Sequence, residues 1–302
     1  MDFKKEAELL GIGNTPLIPY EEDFDADIYV KNETMNASGS VKDRAALGMI
    51  LDAEEKGLLK KGDTIVEATS GNMGISLAYV GIKRGYRVLL TMPDTMTVER
   101  REILQGLGAQ LVLTEGSLGM KGAIEAVEQY STKKGHVWLR QFENHANVTA
   151  HYLSTGEEIL EQIDHVDVLV AGVGTGGTLI GTGRRIREKF PNCEIVAVEP
   201  ASSPVISRGV KGAHKIQGIG AGFVTALYER ELVNRVELVT DEQALDMFKT
   251  LNLKQGYCCG ISSGANIVVA TRLAQDPTYK GKTIVTFFPD GDDRYGSVLN
   301  AK

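Results

Sequence analysis

The sequence predicts an α/β protein of two domains, each a twisted, mostly parallel sheet flanked by helices. Three observations point that way. Short β-branched or apolar runs alternate with longer stretches of helical period, which is the rhythm of right-handed βαβ units. The joins from strand to helix are rich in glycine and hydroxyl residues, as where ligands collect beyond the carboxyl ends of parallel strands. Glycine is enriched, at 34 of 302 residues, or roughly 11% against a usual ~7%. A chain of this length can bury about three quarters of its unfolded surface.

The elements follow in order. DIYVK at 27–31 reads as a strand, followed by a helix from about 40; DTIVEA at 63–68 is followed by a helix from about 72. YRVLLTM at 86–92 precedes a helix from about 97, and AQLVLTE at 109–115 one from about 119. GHVWLRQFENHANVTAH at 135–151 breaks the alternation and is the expected domain crossing, which bounds a smaller mobile domain at 35–145 and a larger one at 1–34 plus 146–302. The pattern resumes with VDVLVAGVG at 166–174 and a helix from about 177, then CEIVAVEP at 193–200, a helix near Ser262 and KTIVTFFPDG at 282–291.

Composition narrows the function. Charged residues are 24% of the chain with both signs mixed and a net charge of -7, which argues against a nucleic-acid or anionic-membrane surface. No leader and no apolar run near the ~18 residues of a membrane helix is evident, so a cytoplasmic small-molecule enzyme is expected. Cys193, Cys258 and Cys259 form neither a paired framework nor a metal-ligand spacing; the adjacent pair reads as two small half-buried residues.

In ASGSVKDR, at 37–44, Lys42 lies in or beside the first turn of a helix whose apolar face includes Ala45, Leu47, Ile50, Leu51 and Leu58, with Ser38 or Ser40 as its cap. That end carries the positive pole of the helix dipole, which disfavours the ammonium and favours a neutral, nucleophilic amine. AGVGTGGTLIGTG, at 171–183, turns from strand to helix and lets the amides of Gly174, Thr175, Gly176, Gly177 and Thr178 converge on an anion, a phosphate cradle. Gly172, Gly174 and Gly177, with Glu199 about 22 residues beyond Gly177, also satisfy the dinucleotide fingerprint, so an NAD-dependent dehydrogenase is a rival reading. Against it, that fingerprint belongs in the first βαβ unit of its domain, and several strands precede this one. EATSGNMG, at 67–74, offers Thr69, Ser70 and Asn72 beside helical amides, which suits a carboxylate, and Gln141 can hold the same group. GISSG, at 260–264, mimics a hydrolase nucleophile elbow around Ser262, but all five histidines precede it where that fold needs one after. Ser262 then reads as a helix end-cap or as a donor to a ring nitrogen.

A lysine, a phosphate cradle, a carboxylate loop and a serine at a helix start suit pyridoxal phosphate acting on an amino acid. Over nearly its whole length the chain resembles the cysteine synthase (O-acetylserine sulfhydrylase) family of fold-type II pyridoxal phosphate enzymes, whose fold is like that of tryptophan synthase β. The matching stretches are GNTPL at 13–17, SGSVKDR at 38–44, TSGN at 69–72, the run from 91 to 116, QFEN at 141–144, GTGGT at 174–178, HKIQGIGAGF at 214–223 and GISSGA at 260–265. The resemblance implies that Lys42 attaches covalently to pyridoxal 5'-phosphate and later removes the substrate α-proton. It implies that residues 174–178 hold the phosphate, that Asn72 bonds the ring hydroxyl, and that Ser262 faces the pyridine nitrogen. Substrate would be bound by Thr69, Ser70, Gly71, Asn72, Met73, Gln141 and Gly220. The implied reaction is β-replacement: O-acetyl-L-serine loses acetate to give an aminoacrylate, and sulfide adds to make L-cysteine. A homodimer, and a docked serine acetyltransferase as in some relatives, are the implied partners.

The chain departs from the family pattern in places. Met73 stands where a threonine is usual, removing a hydroxyl donor whose loss costs about 1 kcal/mol or more of substrate binding unless compensated. Methionine there resembles the β-cyanoalanine synthase branch, so a cysteine-consuming, sulfide-releasing β-replacement of that type, or of the lanthionine or cystathionine synthase type, is the alternative; Ala171 and Thr175 do not follow that branch. His145, Val148 and Thr225 replace prolines usual in the family, which puts loop rigidity in question. Gly222 precedes Phe223 where cystathionine β-synthases are expected to carry an acid, and no trailing regulatory domain is expected.

Overall fold

A computed structural model describes residues 2–299. Its strands are β1 (Leu17–Pro19), β2 (Asp27–Asn32), β3 (Thr64–Ala68), β4 (Arg87–Pro93), β5 (Gln110–Thr114), β6 (His136–Trp138), β7 (Val168–Gly172), β8 (Glu194–Pro200), β9 (Arg235–Val239) and β10 (Thr283–Phe288). The helices are α1 (Phe3–Leu9), α2 (Lys42–Glu55), α3 (Asn72–Lys83), α4 (Val98–Gly106), α5 (Gly119–Ser131), α6 (Ala146–His151), α7 (Glu157–Gln162), α8 (Gly177–Lys189), α9 (Val205–Arg208), α10 (Asp241–Leu253), α11 (Ile261–Ala274) and α12 (Gly296–Leu299). A π turn, Tyr152–Gly156, joins α6 to α7 without a break.

The strands form two sheets. One has the order β1-β2-β10-β7-β8-β9 and is parallel except for β1, which runs antiparallel to β2. The other has the order β5-β4-β3-β6 and is parallel throughout.

Parallel strands covered on both faces must be apolar on both, and these are. Val168, Val170, Val196 and Val198 pack with Ala265 and Val269 of α11, while the alternate residues Leu169, Ala171, Ile195 and Ala197 pack with Leu179 and Ile186 of α8. In the smaller sheet, Ile65 and Leu90 meet Leu47 and Ile50 of α2 and Leu77 of α3, while Val66 and Leu89 meet Ala123 and Val127 of α5. Leu77 and Leu90 are fully buried, and truncation of either to alanine costs ~2–5 kcal/mol.

The expected strands and the helices that follow them form within a few residues of their expected starts. Several sequence expectations need correction. β1, β6 and β9, the helices α1, α6, α7, α9 and α10, and the short helix α12 are additions to the expected list. The segment 135–151 is no simple crossing, because His136–Trp138 is an edge strand of the four-stranded sheet and the helix begins at Ala146. Neither serine is the N-cap residue of α2, which is Val41, whose amide bonds the Pro289 carbonyl at 2.8 Å; Ser40 Oγ still accepts from the Lys42 amide at 3.4 Å, and Ser38 bonds the Asp43 carboxylate. Leu58 lies beyond α2 and is 62% exposed, so it is no part of that helix face. Of the cysteine pair, Cys259 is buried and Cys258 is exposed; all three thiols are free.

A buried ionic knot ties α2 to the larger sheet. The Arg44 guanidinium pairs with both oxygens of Glu33 (2.7 and 2.8 Å) and both of Glu158 (2.6 and 2.7 Å), and Lys31 pairs with Glu158 at 2.7 Å. Arg44, Glu33 and Lys31 are fully buried. Burial opposes the ionised form of Glu33, but Arg44 outweighs it and holds this carboxyl down at about 2.

Candidate active site

The carboxyl ends of β3, β7 and β10 open into one cavity of about 370 Å³. Nearly every sequence-predicted residue lines it: Lys42 from the start of α2; Thr69, Ser70, Gly71, Asn72 and Met73 from the β3–α3 loop; Gln141 after β6; Gly174, Thr175, Gly176 and Thr178 after β7; and Ser262 from α11. A larger surface hollow of about 570 Å³ between α2 and α6 gathers none of them. Two predicted residues stand back from the cavity. Gly177, the first residue of α8, is buried against Asn147. Gly220 lines a neighbouring crevice, and its carbonyl sits 3.0 Å from His214 Nε2, so no wall of the cavity comes from it.

Lys42 is held by its backbone surroundings. Ser40 bridges to Asp290 just beyond β10, and the Val41 bond to Pro289 fixes where α2 begins. Burial lowers the Lys42 ammonium below the usual lysine range, with Asp290 partly offsetting the effect. Burial likewise raises the Asp290 carboxyl, which accepts bonds from the Tyr295 hydroxyl (2.6 Å) and the Asn72 side-chain amide (2.8 Å). The Asn72 carbonyl oxygen accepts from Arg294, so the carboxamide is oriented from both ends.

The cradle is glycine-rich because side chains would not fit. Gly176 has φ +94°, in the left-handed region. A Cβ on Gly174 would lie 2.4 Å from the Gly218 carbonyl oxygen, and one on Gly177 would lie 1.9 Å from Asn147 Oδ1. Gly174, Thr175, Gly176 and Thr178 line the cavity at the start of α8 with the helix dipole behind them, while the Gly177 amide bonds Thr175 Oγ1 at 3.3 Å; a helix start so placed suits a phosphate. Around the cradle stand residues the sequence reading missed. Asn147 donates to both the Gln141 carbonyl and Thr175 Oγ1, at 3.1 Å each. The buried His151 ring reaches Thr178 Oγ1 at 3.3 Å and Thr155 Oγ1 at 2.8 Å. Burial pushes its pKa down to about 3, so the ring is neutral. Thr225 donates to the Thr175 carbonyl at 2.6 Å, a tie that proline could not make and that answers the question of rigidity raised by its replacement. Asn147 and His151 were legible only as part of the irregular 135–151 stretch, and their polarity inside an apolar helix face was the available signal.

The rival readings fail on geometry. Both Glu199 oxygens are taken by the amides of Ile206 (2.8 Å) and Ser207 (2.9 Å), so this acid does not reach for a ribose. Ser262 is the second residue of α11, whose N-cap is Gly260, so it is no end-cap. Its side chain is 97% buried at the cavity wall, with no hydrogen-bond partner among the described residues, a hydroxyl left free for a ligand atom. Among the described residues, the charged lining side chains are Lys42 and Arg100, both cations. The set fits a phosphorylated pyridine aldehyde: an amine of lowered basicity, an amide cradle for the dianion, and a neutral hydroxyl for the ring nitrogen.

Comparison with known proteins agrees. The chain is 47% identical over 289 residues to a cysteine synthase of Staphylococcus aureus, covering 94% of this chain and 93% of that one. Its fold superposes with a TM-score of 0.93 on the crystal structure of a cysteine synthase from Entamoeba histolytica, at 40% identity and covering 97% of this chain and 90% of that one. A hydrogen sulfide-producing enzyme from Fusobacterium nucleatum superposes with a TM-score of 0.90 at 41% identity, covering 94% and 96%. With residues 8–290 matching the profile of the pyridoxal-phosphate dependent enzymes, the chain belongs to that family.

Proposed function

We propose that the protein is a pyridoxal 5'-phosphate-dependent cysteine synthase, making L-cysteine from O-acetyl-L-serine and sulfide. The observation that carries this reading is the meeting, in one cavity, of Lys42, the cradle residues Gly174, Thr175, Gly176 and Thr178, and residues 69–73. When bound, pyridoxal phosphate supplies an electron sink for the substrate α-carbon. Lys42 would hold the cofactor through its aldehyde, and its amine, made less basic by burial, is placed to take the substrate α-proton. The amides at the start of α3, with Thr69, Ser70 and Gln141, bind and orient the substrate carboxylate. Ser262 would offer the cofactor ring a neutral hydroxyl where a carboxylate would hold a proton, which would moderate the electron sink in favour of β-elimination over transamination. Residues 35–145 form the smaller domain, which closes on the carboxylate and excludes water from the reacting centre.

The test is spectroscopic and kinetic. Purified protein has a long-wavelength absorption from the cofactor attached at Lys42, and forms cysteine from O-acetylserine and sulfide. Lys42→Ala loses both; retention of both sinks the reading. A second reading, release of sulfide from cysteine by β-replacement, is favoured by one observation: Met73 is 98% buried in the cavity wall of the carboxylate loop, and the sulfide-producing Fusobacterium enzyme shares the fold. Comparing sulfide released from cysteine with sulfide consumed alongside O-acetylserine separates the two. A homodimer working in the cytoplasm completes the proposal, with serine acetyltransferase as a docking partner; no helix among the described residues is long and apolar enough to cross a membrane.

A further inference from the structure

Glu67 is a buried acid that the reaction above does not use. It is 3% exposed near the end of β3, immediately before the loop that carries Thr69 to Met73. Its Oε1 accepts from the Trp138 indole at 2.8 Å and from the Ala68 amide at 3.2 Å, while Oε2 has no hydrogen-bond partner among the described residues. On its other side the chain turns sharply at Arg140, which has φ +54°, an uncommon value for a side-chain-bearing residue. That turn brings the backbone amides of Gln141 and Arg140 close enough to the Glu67 carboxyl to lower its pKa, and places Gln141, 94% buried, at the cavity wall. One carboxyl thus stands behind both segments assigned to the substrate carboxylate.

Among the described residues, no cation pairs with it. Arg140 turns its guanidinium over the Trp138 ring, 4.1 Å from the centroid, and pairs with Glu143 at 3.3 Å. β6 contributes His136 at the far end of its pairing with β3, opposite Thr64, and β4 contributes Arg87, which bonds Thr64 Oγ1 and the Gly62 carbonyl. α2, α3 and α5 pack on this sheet with apolar side chains such as Leu47, Leu77 and Val127. Burial raises the Glu67 carboxyl to about 7, against the lowering effect of Trp138 and the neighbouring amides.

We propose that Glu67 is a positioning residue linked to substrate binding through its proton: it is neutral when the carboxylate subsite holds its anion and gives that proton up when the subsite empties above neutral pH. The reason is linkage. An ionised Glu67 puts a buried negative charge behind the anion and draws the Arg140 and Gln141 amides toward itself, so anion binding and Glu67 ionisation oppose each other reciprocally. The proposal rests on the reading of residues 69–73 and Gln141 as the carboxylate subsite.

The experiment titrates the cofactor-loaded protein with L-alanine, which carries the carboxylate and amine but no leaving group, by calorimetry in buffers of different ionisation heat between pH 6 and 8.5. Wild-type protein takes up more protons per alanine bound than Glu67→Gln above pH 7. The affinity of Glu67→Gln exceeds that of wild type on the order of tenfold at the alkaline end and matches it at the acid end. Trp138→Phe, which removes a donor to Oε1, moves the wild-type affinity midpoint to higher pH. Equal proton uptake and parallel affinity profiles in wild type and Glu67→Gln overturn the proposal while leaving the functional reading standing. Failure of both proteins to bind alanine at any pH overturns the two together.

Discussion

Replacing Arg44 by methionine tests the buried ionic knot. The wild-type knot is balanced, two cations (Arg44, Lys31) against two acids (Glu33, Glu158), all nearly or wholly inaccessible. Methionine fills much of the volume but leaves one uncompensated buried negative charge, a change that costs ~3–5 kcal/mol. The acid that loses most is Glu33, because Glu158 keeps Lys31. A carboxyl held at about 2 against an ordinary 4.5 reports about 3 kcal/mol of stabilisation of its ionised form. Because the folded value is depressed, that stabilisation is present above pH 4.5 and is lost as pH falls toward 2. Urea unfolding at pH 7 should therefore show Arg44→Met less stable by ~3–5 kcal/mol, with a much smaller further loss on acidification than wild type shows. Adding Glu33→Gln to Arg44→Met should recover a substantial part of the loss, since it removes the stranded charge. A loss below about 1 kcal/mol for Arg44→Met, or strict additivity of the two changes, would refute the reasoning.

Further expectations concern the site. Thr225→Ala removes the bond to the Thr175 carbonyl and should speed cofactor release several-fold, worth about 1 kcal/mol, read from the loss of cofactor absorbance after dilution. Gly177→Ala drives a methyl into Asn147 Oδ1, and Gly174→Ala drives one into the Gly218 carbonyl; protein from either gene should be colourless or insoluble, while Gly57→Ala, whose Cβ meets open space, should retain cofactor at a modest cost from its positive φ. Met73→Thr should raise the ratio of O-acetylserine-dependent sulfide consumption to cysteine-dependent sulfide release, and an unchanged ratio removes Met73 from the question of specificity. Because the Glu67 pKa is raised from 4.5 to about 7, its contribution to stability is full below 4.5 and is lost as pH rises through 7. Chemical denaturation of Glu67→Gln against wild type should show the difference moving by about 3 kcal/mol in the variant's favour across that window.

The sequence was legible where local pattern and global packing agree. β7 and α8 were read correctly because every residue of Val168–Gly172 is apolar or small and both uses weighed for the following glycines, a phosphate cradle and a dinucleotide fingerprint, place them at a strand-to-helix turn. β6 was missed because three residues, His136 to Trp138, give no period to count, and β9 because Arg235 to Val239, though alternating, is a short run carrying two charged residues at the partly buried edge of its sheet. The serine cap of α2 was a reasonable inference from residue type, defeated by a tertiary bond from Val41 to Pro289 that no local window contains. The same holds for Asp290: its influence on Lys42 comes from 248 positions away, through the bridge with Ser40. Gly220 shared a motif with genuine lining residues such as Gly218, but its backbone turns into the adjacent crevice.

The π turn at Tyr152–Gly156 sets a rule for how this stretch of chain can vary in length. An extra residue accommodated within one turn rotates everything after it by about 100° relative to an uninterrupted α-helix. With that offset, His151 on one side looks toward Thr178 while Glu158 on the other looks toward Arg44. Deleting a single residue between them would restore regular winding and swing one of these two side chains off its partner, so the helix cannot be shortened there without breaking either the floor of the cradle or the anchor of α2.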